Sequence, residues 1–304
     1  MSKILTYLLA YFILPFSSIS QNSDSLTQSN FKQRKCIVIG GEILTGGGSL
    51  ILLQQAWYKQ HQTGSFHFFN DNSEWLQMDK VGHFWTASQL GRLSMEASAW
   101  AGMSKRQQLV MGTTGLIYLT GVEILDGFSN GWGFSYGDML ANVSGAGLAL
   151  IQHSLWDEQK FIIKYSYTKS IYPYYNPNLL GSNLPERLLK DYNAQTYWLS
   201  FSPFNFSNKL KKMNWLCLSL GYSATGMVRA ENISYTYHYE DSNVLYTVHP
   251  ERYRQYYFSI DIDFSKLNFK KKWLKGIAST FNLIKLPFPA IGIDKRGVNF
   301  NWLK

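Results

Sequence analysis

The pattern of hydrophobic and polar positions changes near residue 162. Before that point, long apolar stretches carry isolated charges and glycines, which favours helices. Ser135 is the expected N-cap of one of them and places Asp138 in its first turn, where a negative charge is favourable. The helices are predicted over residues 79–100, 105–125 and 136–156.

A further apolar stretch covers residues 36–58. Its end, residues 50–57, has a helical pattern, but the glycines at positions 46–48 argue against one continuous helix. The polar residues before it, 21–35, are rich in Ser, Asn and Gln and are predicted to be flexible.

Beyond residue 162 the pattern is that of strands. Prolines first interrupt a Tyr-rich, extended segment, and then apolar and polar residues alternate with a period of two, as in a half-buried strand. The clearest example sets Tyr256, Phe258, Ile260, Ile262 and Phe264 against Tyr257, Ser259, Asp261 and Asp263. Val298, Phe300 and Trp302 alternate in the same way, and weaker strands are predicted over residues 196–201, 215–222 and 281–286.

These elements predict an α+β fold, with an N-terminal bundle of about four helices followed by a small antiparallel β-sheet region. The five candidate strands are fewer than the roughly eight of the smallest outer-membrane barrels, so a sheet packed on the helices is preferred to a small barrel. A protein that spans the membrane four times competes with the compact bundle. The chain is predicted to divide into an N-terminal signal segment (1–20), a flexible polar segment (21–35), a helical domain (36–160), a Pro/Tyr-rich connector (161–194) and an antiparallel β-rich region (195–304).

The first twenty residues have the pattern of a cleavable export signal. Lys3 precedes an apolar core over residues 4–16, and residues 18–20 fit the small-x-small cleavage pattern. The apolar core is shorter than the roughly 20 residues that span a bilayer. We therefore expect an exported protein of the cell envelope, in the periplasm or at the outer membrane.

The net charge bears on which classes of molecule the protein can bind, and the two cysteines bear on its disulfide state. The formal net charge is +9, with lysine runs at residues 209–212 and 270–272, which can be solvated loop tips or can meet anionic lipid headgroups. Nucleic acid is an unexpected partner, because no nucleic-acid-binding motif is present. Cys36 and Cys217 can pair or remain free thiols, and the spacing does not decide between these states.

The residues with candidate chemistry lie between positions 79 and 147. They form three pairs spaced so that the members of each share a helix face or a helix end, and each pair is surrounded by apolar or small residues. Because an unpaired buried charge is costly, these groups are expected to contact one another, a cation or water. The pairs are Asp79 with His83, Glu123 with Asp126, and Asp138 with Asn142.

This stretch resembles a known family. The runs at residues 79–84 and 131–138, with Glu123 and Asp126 between them, are similar to the YfiM-like predicted periplasmic lipoproteins, over roughly residues 75–155. The longer architecture, including residues 190–198, resembles the extended form found in Bacteroidetes-type bacteria. The order of Asp, His, Glu, Asp and Asn is more distantly similar to VanZ-like membrane proteins.

The resemblance implies an envelope location and a helical core, and it supplies no activity. Neither cysteine directly follows the export signal, so lipid anchoring is not carried over. The six residues named above are what the resemblance marks as the shared feature.

Three hypotheses remain open. The polar residues can be structural, satisfying caps, turns and one another. They can instead serve a metal-dependent or acid/base enzyme using His83 and the surrounding carboxylates, although no HExxH motif is present. Thirdly, the aromatic sheet and lysine-rich loops can contact a membrane surface or an envelope protein. The sequence names no metal, no cofactor and no small-molecule ligand.

Overall fold

The computed structural model describes residues 28–56, 63–206, 210–238 and 245–304. The predicted export signal lies outside these ranges. The chain divides into two compact units, and each is described by itself. The helical unit contains the described residues up to Asp71 together with His83–Lys160 and Phe264–Asn282, and the sheet unit contains Asn72–Gly82, Phe161–Asp263 and Leu283–Lys304.

Helices make up most of the helical unit. Their bounds are α1 Gln28–Ala56, α2 Met78–Trp100, α3 Lys105–Met111, α4 Thr114–Gly127, α5 Tyr136–Trp156 and, after two short helices of the sheet unit, α8 Lys272–Thr280. The first turn of α2 belongs to the sheet unit. The predictions over residues 79–100 and 136–156 are confirmed by α2 and α5.

Helix α1 differs from its prediction. It begins at Gln28, within the segment expected to be flexible, and continues through the glycines to Ala56. Its half-buried Glu42 links it to other helices, because the carboxylate accepts hydrogen bonds from Ser94 Oγ at 2.6 Å and Thr114 Oγ1 at 2.9 Å. Because these partners lie on α2 and α4, long-range contacts support a helix that local propensity does not predict.

The helix predicted over residues 105–125 is divided into α3 and α4. The break falls at Gly112 and Thr113. Thr113 Oγ1 donates to the carbonyl of Val110 at 2.7 Å, and such a local side-chain bond competes with helix continuation. The whole segment Lys105–Gly127 is long and apolar enough to cross a membrane by length and composition, and about a fifth of its most apolar window is buried (22%).

Helix α5 starts as the sequence predicts. Ser135 is the N-cap, and its Oγ accepts a hydrogen bond from the backbone N–H of Asp138 at 3.1 Å. The buried side of the helix carries Asp138, Asn142 and Gln152 among small residues. Its exposed side is apolar and consists of Tyr136, Leu140, Val143, Ile151 and Leu155.

The sheet unit contains a six-stranded antiparallel sheet in the order β1-β2-β3-β6-β7-β8, so β1 and β8 are its edges. Strands β4 and β5 form a separate two-stranded hairpin. The bounds are β1 Phe161–Tyr167, β2 Gln195–Phe201, β3 Leu216–Thr225, β4 Tyr235–His238, β5 Leu245–Val248, β6 Tyr253–Ile262, β7 Ala290–Asp294 and β8 Gly297–Asn301. The α+β class, with helices followed by an antiparallel sheet, is confirmed.

Four of the predicted strands are confirmed, as β2, β3, β6 and β8. The strand predicted over residues 281–286 is wrong. Phe281–Leu283 is a short 3-10 helix, and the side chain of Asn282 turns back to accept the backbone N–H of Phe264 at 3.0 Å. Pro287 and Pro289 follow and lack the N–H that a strand ladder needs.

The segment expected as an extended connector, residues 161–194, is more regular than predicted. It begins with strand β1 and includes two short helices, α6 Pro177–Leu180 and α7 Leu184–Lys190. Proline stands in the first turn of each helix, where its missing N–H costs nothing.

The two faces of the sheet are reversed relative to an ordinary half-buried sheet. The polar side of β6, including Ser259 and Asp261, is buried, and its apolar side, including Phe258 and Ile260, is exposed. The neighbouring strands repeat the reversal, since Ser219 and Ser200 are buried in register with Ser259. The period-two alternation was therefore predicted correctly, while the side that is buried does not follow from it.

A fully buried ion pair lies on the polar side of the sheet. Lys164 Nζ is 2.8 Å from a carboxylate oxygen of Asp261, and both side chains are 0% exposed. Ser200 Oγ donates to the same oxygen of Asp261 at 2.7 Å, and Lys164 also donates to the carbonyl of Ile262 at 2.6 Å. These bonds offset part of the cost of removing two charges from water.

Both cysteines are free thiols. Cys36 is exposed and Cys217 is buried. Burial raises the pKa of the Cys217 thiol to about 12, which keeps it protonated and unreactive at neutral pH.

Candidate functional site

Three helices of the helical unit each direct a polar side chain to one place. His83 comes from α2, Glu123 from α4, and Asp138 and Asn142 from α5. His83 Nδ1 lies 3.0 Å from Asn142 Oδ1 and 3.7 Å from Glu123 Oε1. A ligand atom of Asp138 lies within 4.8 Å of one of His83. We call these four residues the polar cluster.

Two oxygen atoms face Nδ1 of His83, and the bond to Asn142 Oδ1 forms when Nδ1 carries the proton and donates. The orientation of the ring is thus set in part by groups on α4 and α5.

Glu123 is the most perturbed carboxyl of the polar cluster. It is 1% exposed, and its Oε2 accepts the backbone N–H of Ser135 at 3.0 Å. Its pKa is raised to about 8, mainly by burial and also by the charges of Asp138 and Asp126, while His83 and the Ser135 N–H lower it in part. At neutral pH most Glu123 side chains are therefore protonated.

Side chains of the segment before α2 hold the Gly-rich turn that precedes α5. Besides capping α5, Ser135 donates from Oγ to Asp71 Oδ1 at 2.6 Å. His67 Nε2 lies 2.6 Å from the carbonyl oxygen of Trp132, which holds the turn from the other side. Phe68 and Tyr136 stack beside it with ring centroids 4.8 Å apart. The turn is thus tied to Glu123 of α4 and to the segment before α2.

Asp138 and Asn142 are both buried. Asn142 is completely enclosed, and its Nδ2 has no hydrogen-bond partner among the residues that the structure describes. A buried amide nitrogen of this kind is costly unless a water or ligand oxygen accepts from it. The polar cluster therefore contains one buried donor without an acceptor among the described residues.

The other two candidate residues are Asp126 and Asp79. Asp126, at the end of α4, acts on the cluster through its charge, which raises the pKa of Glu123. Asp79 lies one turn before His83 on α2, in the part of that helix that belongs to the sheet unit. There Tyr192 Oη donates to it, and Lys80 Nζ lies 3.7 Å away.

Close backbone packing brings α2 and α5 together at the cluster. A Cβ atom added to Gly145 would meet the carbonyl oxygen of Phe84 at 2.2 Å, whereas one added to Gly147 would meet nothing within 4 Å. The sequence predicts close packing from the small residues of α5, but it does not distinguish these two glycines. Only Gly145 faces α2.

Glu42 is a half-buried carboxylate that was not among the residues predicted from the sequence. Burial raises its pKa, and the hydroxyl groups of Ser94 and Thr114 lower it in part. The signal was present, because Glu42 is an isolated acid in an apolar stretch, which is the same criterion that selected Glu123. It ties α1 to α2 and α4 as the polar cluster ties α2, α4 and α5.

Comparison with known proteins bears on the helical unit. The family model described as "Predicted periplasmic lipoprotein (DUF2279)" matches residues 67–154. These residues include His83, Glu123, Asp138 and Asn142, so the family match and the polar cluster coincide. The match indicates an envelope protein of unknown activity. No curated protein and no solved structure matches the chain.

The arrangement has two chemical capabilities. As a network of buried hydrogen bonds it can fix the relative positions of three helices, because each broken bond would leave a polar group desolvated. As an imidazole beside a carboxyl with a pKa of about 8, it can also exchange protons near neutral pH.

Proposed function

We propose that this chain is a cell-envelope protein with a structural or interaction role, in which the polar cluster fixes the arrangement of α2, α4 and α5. The observation that carries the proposal is the position of Glu123, which is buried, faces His83 and accepts the N–H that begins α5. The YfiM-like resemblance, with the more distant VanZ-like one, supports the same envelope setting.

The surface of the helical unit supports an interaction role. The exposed side of α5 carries Leu140 and Ile151, and α4 exposes Ile117 and Ile124. Burying polar groups inside while presenting apolar groups outside suits a protein that meets lipid or another apolar surface. The polar cluster then supplies the specificity of helix packing that apolar contacts alone leave loose.

The test combines stability with metal analysis. His83→Ala removes one donor and leaves Asn142 Oδ1 and Glu123 without it, so we expect a loss of about 1–3 kcal/mol, or roughly 2–10 °C in melting temperature. The matched control is His249→Ala, an exposed histidine, which should melt like the wild type. A structural role predicts that a chelator leaves the wild-type melting temperature unchanged. An unchanged melting temperature for His83→Ala would contradict the proposal.

Localisation needs its own measurement. We expect the mature chain in the envelope fraction. Release by high salt would indicate electrostatic attachment, and resistance to both salt and carbonate washes would indicate an integral protein. Recovery of the chain in the cytoplasm, with its first twenty residues intact, would contradict the envelope proposal.

A second candidate is a metal-dependent or acid/base envelope enzyme. It is favoured by one observation, the pairing of His83 with a buried carboxyl whose pKa is raised to about 8. It predicts that zinc or manganese raises the melting temperature of the wild type and does not raise that of His83→Ala. Equal response of the two proteins would remove this candidate's support for a metal.

A further inference from the structure

The sheet unit presents a continuous apolar surface, which we call the outer face. It spans strands β3, β6, β7 and β8 and continues past the end of β8 to Trp302. Cross-strand register makes it continuous, since Leu220, Phe258, Ile291 and Phe300 lie opposite one another in successive strands. The exposed members are Leu220, Tyr256, Phe258, Ile260, Ile291, Ile293, Val298, Phe300 and Trp302.

The outer face is large for an exposed surface. Four strands about 4.8 Å apart and about 20 Å of strand length give roughly 400 Å². Patches of this size on soluble proteins are commonly interaction sites. Val298 and Trp302 are 75% and 74% exposed, so no part of the described chain covers the face along its β8 edge.

The outer face is not the side of the sheet that the chain buries. The opposite side of the same strands is where the chain buries its polar groups, including Ser219, Ser259 and the Lys164–Asp261 pair. A sheet with buried polar groups and exposed aromatic and aliphatic groups is built to meet an apolar medium on its outer side.

The rim of the face carries cations beside aromatic rings. At the end where β6 begins, Arg254 Nε donates to Tyr222 Oη at 3.2 Å, and its guanidinium also donates to Gln77 Oε1. Arg254 has no acidic partner among the described residues, whereas Lys295 and Arg296 of the β7–β8 turn lie over the Tyr253 ring and pair with Glu251 and Asp294.

The opposite end has the same character. The segment before β3 exposes Leu210, Met213 and Trp215 together with Lys212. Phe300 and Trp302 lie at that end too, in edge-to-face contact with ring centroids 5.1 Å apart. From residue 192 to residue 230 the sequence contains no acidic residue.

From these observations we propose that the outer face is a docking surface for a lipid bilayer with anionic headgroups. Aromatic rings and Lys or Arg around an apolar centre match the interface, where rings lie at headgroup level and cations meet lipid phosphates. A second copy of this chain is a poorer fit, because stacking two faces would bring rims of the same charge together in a chain of formal net charge +9.

The sheet's topology sets the orientation. Strands β1 and β8 are the edges of the sheet, and within the described residues the free side of β1 is paired at an isolated bridge between Tyr165 and Ile284. Hydrocarbon cannot satisfy the free backbone groups of an edge, so the sheet lies with its face toward the bilayer and only its side chains enter, to a depth of about 5–10 Å.

The test measures partition of the full chain onto lipid vesicles by co-flotation. We expect binding to vesicles that contain phosphatidylglycerol and weaker binding to phosphatidylcholine vesicles. The double variant Phe258→Ser with Phe300→Ser should lower the partition by about tenfold or more. Its matched control is Ile171→Ser, which changes an exposed apolar residue outside the face and should bind like the wild type.

A second pair of variants tests the rim. Arg254→Gln with Lys212→Gln should lower binding to the anionic vesicles by roughly tenfold and leave phosphatidylcholine binding unchanged, whereas Lys169→Gln, at an exposed lysine away from the face, should not. All these side chains are at least partly exposed, so melting temperatures should stay within a few degrees of the wild type.

Two results would overturn the proposal. One is equal vesicle partition of the Phe258/Phe300 variant and the Ile171→Ser control. The other is loss of self-association in sedimentation by the face variant with vesicle binding intact, which would assign the face to a second copy. The proposal concerns the sheet unit alone, so its failure leaves the role of the polar cluster untouched, and the His83→Ala melting experiment can fail without affecting it.

Discussion

Replacing Glu123 by Gln tests the electrostatics of the polar cluster directly. Burial raises the pKa of this carboxyl from 4.5 to about 8, so the folded state binds its proton more tightly than the unfolded state does. The contribution to stability is therefore greatest below pH 4.5 and is lost as the pH rises to about 8. At about 1.36 kcal/mol for each pH unit, the loss is about 5 kcal/mol.

Glu123→Gln removes this loss, because a neutral amide resembles the protonated acid and still accepts the Ser135 N–H. We expect variant and wild type to have similar unfolding free energies near pH 5, and the variant to be more stable by about 3–5 kcal/mol at pH 9. Denaturant unfolding followed by circular dichroism from pH 5 to pH 9 measures the difference.

Taking the difference between two proteins cancels the titration of the shared groups that do not interact with Glu123. Glu231→Gln changes an exposed carboxyl and serves as the matched control, with a difference from wild type that should not grow with pH. A Glu123→Gln difference that is constant from pH 5 to pH 9, or that favours the wild type at high pH, would refute the assignment of Glu123 as a buried, mostly neutral acid.

Two further substitutions follow from packing and charge. Gly145→Ala should lower the free energy of unfolding by about 1–3 kcal/mol, because its Cβ would meet the Phe84 carbonyl. Gly147→Ala should raise the free energy of unfolding by about 0.5–1 kcal/mol, because alanine has the higher helix propensity. Equal effects of the two substitutions in thermal unfolding would contradict the close approach of α2 and α5. Lys164→Met should lower the free energy of unfolding by about 3–5 kcal/mol, because it leaves Asp261 charged and buried. The double variant Lys164→Met with Asp261→Leu should recover much of that stability. A double variant no more stable than the single one would show that the unpaired Asp261 is not the cause of the loss.

The helices could be predicted well where local chemistry marks their ends. Helix α5 has the same bounds as its prediction because Ser135 caps it and Asp138 follows in the first turn. Helix α1 was missed as a single element, since its glycines weaken the local signal and its support comes from Glu42 contacting residues far along the chain. The break at Thr113 depends on one hydroxyl bond that periodicity does not report.

The sheet shows what alternation leaves undetermined. A period of two identifies the two sides of β6, but the same pattern describes a strand whether its apolar side faces a protein core or an external apolar surface. The buried side is chosen by partners such as Lys164, which lies on β1, a strand concealed within the Pro/Tyr-rich segment. Exposure of the outer face therefore emerges only with the three-dimensional structure.

The candidate residues of the site were selected by the cost of isolated charges in apolar surroundings. That criterion draws attention to His83, Glu123, Asp138 and Asn142, whose distances then depend on how the helices pack. It does not indicate that Glu123 accepts the backbone N–H of Ser135, because backbone donors leave no mark on residue type. The same criterion selected Asp79, which lies in the part of α2 that belongs to the sheet unit and accepts a hydrogen bond from Tyr192.

The most direct test of the central claim is a double-mutant cycle between His83 and Asn142, which lie on different helices with 3.0 Å between Nδ1 and Oδ1. Unfolding free energies are measured for the wild type, His83→Ala, Asn142→Ala and the double variant. If the polar cluster holds α2 against α5, the two changes should be coupled by about 1 kcal/mol or more, with the double variant less damaged than the sum of the single ones. Strictly additive effects would mean that the two side chains do not interact, and the proposed structural role would fail.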